Sequence, residues 1–151
     1  MQIASVVGSL WLALGVLAAM PHVKTEDLPA GPIRERHQLM EGIGKNAKAI
    51  NDALKTNNTA PVAEAAEKIR TDATKIAALF PAGSTHPKSR AKPEIWQNWP
   101  KFESTSKQLE TNAAALASAA KDGGDVRKAA QGVFDTCKSC HDQFRVPEKN
   151  A

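Results

Sequence analysis

Five residues near the C-terminal end of this 151-residue chain carry its most specific chemistry: Cys137-Lys138-Ser139-Cys140-His141. The chain has 2 cysteines in all, and on a helix residues three apart lie one turn apart on the same face. Each thiol can then add to one of the two vinyl groups along a porphyrin edge. The imidazole of His141 follows at once and can turn onto the iron. The pentapeptide therefore supplies two thioether tethers and an axial ligand for one haem c. Two other chemistries use a Cys-x-x-Cys pair. A redox dithiol of the thioredoxin kind belongs to a βαβ setting, and this chain has no strand pattern. A zinc site needs two further ligands at short spacing, and only His22, His37 and His86 remain outside the pentapeptide.

The sixth coordination position of such an iron decides its use. Electron-transfer haems commonly take histidine and methionine together. The chain has 3 methionines: Met1 is the initiator and Met20 lies in the apolar N-terminal run, which leaves Met40. Met40 is then the methionine inside the domain that could join His141 on the metal, although a buried methionine more often just fills a gap in a core. His37, one turn earlier, is the rival distal ligand. His86 lies in a polar loop, and His22 has no assigned role.

These side chains need elements to hold them. From Pro32, apolar residues recur at helical spacing as Ile33, Met40, Ile43, Ala47, Ile50 and Leu54, with His37 filling the gap. Asn57-Asn58 breaks the pattern. A second helix, capped by Thr59 with Pro61 just inside, shows a face of Val62, Ala66, Ile69, Ala73, Ile76 and Phe80. Residues 81–92 read as a polar loop. A third helix begins near Pro93 with Ile95, Trp99, Phe102, Leu109, Ala113 and Leu116 inward, and Pro100 predicts a kink or a short separate first turn. After Gly123-Gly124, Asp125 caps a fourth helix carrying Val126, Ala130, Val133, Cys137, Cys140 and Phe144. Four amphipathic helices with short connections predict an all-α, antiparallel four-helix bundle.

Composition agrees with this and narrows the function. Aromatic content is 5%, there is no Tyr, and the formal charge is +4 with the basic residues scattered. No nucleic-acid footprint is present. Two cysteines are too few for a disulfide scaffold. Ile3 to Met20 is an apolar run without a charge, long enough as a helix for roughly 27 Å. Residues 1–21 read as a signal peptide or a single-span membrane anchor. No basic residue precedes the run, which leans towards the anchor, with membrane contact through 3–20 if it is retained. Residues 22–31 read as a linker and 32–151 as the cytochrome domain. Either reading of the leader exports the domain, to the periplasm or its membrane face.

The chain resembles the class II c-type cytochromes, the cytochrome c-prime family. The resemblance covers essentially all of residues 32–146. Its motifs are Cys137-Lys138-Ser139-Cys140-His141-Asp142-Gln143-Phe144-Arg145 on the last helix, Pro93-Glu94-Ile95-Trp96 opening the third, and Arg36-His37-Gln38-Leu39-Met40 on the first. It implies a four-helix bundle with haem bound through Cys137 and Cys140 and His141 as proximal ligand. Arg145 would lie near the proximal imidazole and haem edge, and Arg36 would reach a haem propionate. Family members often have Gln directly after that Arg, where this chain has His37. Met40 stands where a low-spin branch carries its methionine ligand, whereas a high-spin branch has a bulky apolar residue there.

The expected function is accordingly one-electron transfer by a haem six-coordinate through His141 and Met40, without enzymatic turnover. The alternative is a five-coordinate protein that binds nitric oxide or carbon monoxide. Expected partners are redox proteins, including a membrane electron-transfer complex. The resemblance also admits a homodimer through the first two helices.

Overall fold

The computed structural model describes residues 23–147. The expected signal peptide or anchor at 1–21, its membrane contact through 3–20, Met20 and His22 lie outside them. Among the described residues no helix is long and apolar enough to cross a membrane.

The described residues form five α-helices in order: α1 Pro32–Lys55, α2 Ala60–Ala73, α3 Glu94–Gln97, α4 Trp99–Asp122 and α5 Val126–Phe144. The four long ones form the expected four-helix bundle. α1 packs on α2, α2 on α4 and α4 on α5, while α1 and α5 barely touch. The bundle is thus tightly closed on three sides and loose along its fourth.

Local chemistry sets the boundaries. Pro32 opens α1 at a position whose N–H would have no helical partner. Gly123 ends α4 in the left-handed region at φ 76°, which costs glycine nothing, and the Gly124 N–H donates to Ala119 O at 2.9 Å. Asp125 then caps α5 as expected, accepting from the Lys128 N–H at 3.0 Å. At α2 the expected Thr59 cap is missing. The Asn58 side chain accepts from the Ala60 N–H instead, at 3.2 Å.

α2 ends at Ala73, seven residues before the expected Phe80. The Thr74 hydroxyl donates to Thr71 O at 2.8 Å, taking the carbonyl that the next helical N–H would use, and Lys75 N turns to Asp72 O instead. The chain continues as a tighter 3-10 coil, Ala77–Leu79, that still buries Ile76 and Phe80. At Pro100 the sequence expectation holds: α3 is a short separate turn, broken at Asn98, and Pro100 sits in the first turn of α4.

The core runs through the middle of the bundle, where Ile50, Val62, Ile69, Ala113, Leu116 and Val133 have no exposed surface. At the end holding the starts of α1 and α4 it becomes aromatic. Phe102 packs edge-on against Phe80 at 4.8 Å and Phe144 at 5.3 Å, with Trp99 at 5.5 Å. Residues expected as a linker are fastened here too. Leu28 is buried, Arg34 Nε donates to its carbonyl at 2.9 Å, and the Thr25 hydroxyl bonds to both His37 Nδ1 and Glu41.

Candidate haem site

The amphipathic α5 brings the attachment motif to the last two turns of the bundle. Cys137 and Cys140 are half-buried and pack against the core. One turn earlier a polar staple fixes α5 against α4. The Asn112 side chain donates to Gly132 O at 3.0 Å and to the Thr136 hydroxyl at 2.9 Å, and Thr136 donates in turn to Gly132 O. Thr136 directly precedes Cys137, so this staple sets the register of the cysteines.

The thiols are not those of a redox dithiol. Such pairs work through a depressed thiol pKa. Here burial pushes Cys137 up, and burial together with Cys137 pushes Cys140 up to about 11. Both remain thiols at neutral pH, the form whose S–H adds to a vinyl group. The His141 imidazole pKa is lowered, first by loss of water around it, then by Arg145 and Arg90, with Asp142 opposing. Its ring still meets solvent, so the surrounding protein and not full enclosure does this. A neutral imidazole keeps the lone pair a metal needs. Two half-buried thiols, a neutral imidazole and a loosely packed fourth side make a donor set and a place that fit one haem c.

The other expected residues lie on α1. Met40 is half-buried and packs against the core, four residues after Arg36 and three before the buried Ile43. Arg36 is 4% exposed and already bonded: Nη1 donates to Ser84 Oγ at 2.8 Å, and Nη2 to Ser84 O at 2.7 Å and Ser89 Oγ at 2.9 Å. Its guanidinium also lies over the Phe80 ring at 4.7 Å. His37, the rival ligand, is turned to Thr25 and Glu41.

No motif or periodicity points to what stands behind His141. Ala91 and Arg145 form an isolated antiparallel bridge, with Lys92 N donating to Phe144 O at 2.9 Å and Val146 N to Arg90 O at 2.8 Å. Arg90 Nε donates to Val146 O, and Lys92 Nζ reaches Asp142 O at 3.1 Å and Gln143 O at 3.4 Å. A polar loop with two prolines carries no local signal for such pairing.

The family model for cytochrome C' matches residues 31–145. A cytochrome c' of Rhodopseudomonas palustris is 32% identical over 150 residues, covering 97% of this chain and 97% of that one. A crystallised cytochrome c' described by an unusual ligand-controlled dimer dissociation is 28% identical, covers 83% of this chain and 98% of its own, and superposes with a TM-score of 0.71. A nitric oxide complex of a point mutant of cytochrome c prime from Alcaligenes xylosoxidans is 25% identical, covers 80% of this chain and 100% of its own, and has a TM-score of 0.69.

These matches correct the expected function. Most of the curated relatives are cytochromes c' and one is a cytochrome c-556, and a solved cytochrome c' is held as a nitric oxide complex; the six-coordinate electron carrier ligated by His141 and Met40 is overturned, and the low-spin, methionine-ligated branch has no support. The physical reason is competition for one position, since a strong sixth protein ligand occupies the place a diatomic molecule needs. The residue type of Met40 and its match to the low-spin branch's methionine position suit a side chain that only packs as well as one that ligates. With the bundle, the attachment motif and the match over 31–145 in agreement, the chain belongs to the cytochrome c' family and carries one covalently attached haem c.

Proposed function

We propose that this protein binds a small diatomic gas, nitric oxide or carbon monoxide, at the open side of a five-coordinate haem. One observation carries the reading: a relative 25% identical over its whole length is solved as a nitric oxide complex. Cys137 and Cys140 would hold the haem and His141 would be its single protein ligand, with Arg145 near the imidazole and Arg36 at a propionate. The haem iron supplies the gas affinity. What this chain's residues do is fix the plane of the group, keep the His141 imidazole neutral, and line the approach with apolar side chains such as Met40, which crowd a ligand without bonding it.

Carbon monoxide binds the ferrous state, so a one-electron donor is the redox partner this reading requires. Residues 1–21 would export the chain to the periplasm, as a signal peptide or an anchor, with 22–31 joining them to the domain at 32–151. A homodimer is the assembly we propose, on the strength of the relative with ligand-controlled dimer dissociation. Binding without turnover is the expected activity.

The test is the optical spectrum of the haem-loaded, reduced protein with and without carbon monoxide. A broad high-spin spectrum that sharpens on adding the gas is expected. Sharp, split low-spin bands that ignore the gas would sink the proposal.

A further inference from the structure

We infer that residues 84–92 form a strap that positions His141, with Arg36 and Lys92 as its positioning residues. This rests on the reading of His141 as the haem ligand. The strap links α1 to α5, which barely touch each other directly, and each of its ends is fastened to a different helix. On α1, the buried Arg36 holds Ser84 and Ser89 through three hydrogen bonds. On α5, Lys92 holds three successive carbonyls: its N–H bonds Phe144 O, and its ammonium bonds Asp142 O and Gln143 O. Val146 N completes the pairing on Arg90 O.

Those three carbonyls follow His141 directly. They are the last of the helix, where no further helical N–H is available to them. The strap supplies what the helix cannot, and a cation at this end also complements the helix dipole. If it lifts, the final turn frays and the imidazole loses its fixed direction, which a metal-bound histidine needs from its surroundings. Arg36 and His141, on helices that scarcely meet, are thereby coupled. A propionate that reached Arg36 would share that guanidinium with the strap.

The experiment uses the haem-loaded full chain. Native-state amide exchange at Lys92 and Val146 reads the strap directly, and the ferrous iron–histidine stretching band reads the ligand. Arg36→Met should speed exchange at both amides at least about tenfold, the loss of hydrogen bonds from a charged donor, while Ile69 and Ala113 keep their protection. Lys92→Met should shift or broaden the iron–histidine band, and Lys92→Arg should restore it. Where Arg36→Met does not fold, the double change Ser84→Ala and Ser89→Ala should give a smaller increase at the same two amides. Unchanged exchange at Lys92 and Val146 overturns the strap, whatever ligates the iron. An opened strap with an unmoved band overturns the positioning role. A wild-type protein without an iron–histidine band instead defeats the ligand reading beneath it.

Discussion

The α2–α4 side and the α1–α5 side of this bundle are built on opposite plans. α2 and α4, which pack closely on each other, are rich in small buried residues, Ala65, Ala66 and Ala73 on one and Ala113 and Ala117 on the other, beside Val62, Ile69 and Leu116, which have no exposed surface. Small side chains let the backbones approach and leave nothing to be filled. α1 and α5 scarcely touch, and Met40, Cys137 and Cys140 there are half-buried. A bundle held by three of its four sides can leave the fourth for a cofactor. Its folding free energy and its binding surface then sit in different places.

Three substitutions probe that division. Phe102→Ala should cost most, about 4 kcal/mol for a buried phenylalanine, because Phe102 touches Phe80, Trp99 and Phe144 at once and so joins the two sides; denaturant unfolding measures it. Asn112→Ala should cost about 2 kcal/mol, since Gly132 O and the Thr136 hydroxyl each lose a partner. It acts at the boundary, so its unfolding midpoint should fall along with the yield of haem-bearing protein. Met40→Ala should cost least, about 1 kcal/mol for a half-buried side chain. Its effect belongs to the open side, with faster carbon monoxide association and an unchanged ligand-free ferrous spectrum. A Met40→Ala loss as large as that of Phe102→Ala would mean that the two sides are one core.

What could be read from the sequence was the local part. The inward positions of α2, α4 and α5 follow from period 3.6, and Val62, Ala66, Ile69, Phe102, Leu109, Ala113, Leu116, Val126, Ala130 and Val133 are all buried where the pattern puts them. The Asp125 cap and the Gly123 stop rest on chemistry within four residues. The illegible part is contact between distant segments. Arg36 was visible as a charge on a helix, but its acceptors, Ser84 and Ser89, are about fifty residues away in an unpatterned loop. His37 fell in the inward pattern and turned instead to Thr25, because a side chain able to bond twice is drawn to partners that spacing alone does not reveal. The early end of α2 belongs to the same class, a hydroxyl competing for a backbone carbonyl. The place of Met40 on α1 and in the family pattern cannot tell a packed sulfur from a bonded one.

The attachment residues stand in the final turns of the final helix, and the bridge that secures that helix joins segments 50 residues apart. A chain emerging from its N-terminus can gather α1, α2 and α4 before α5 exists, since neighbouring helices assemble early and distant pairings late. Pigmentation thus waits until the last described helix has been made. Any product cut short before Cys137 stays colourless, and redness in a preparation certifies that synthesis ran through the attachment motif.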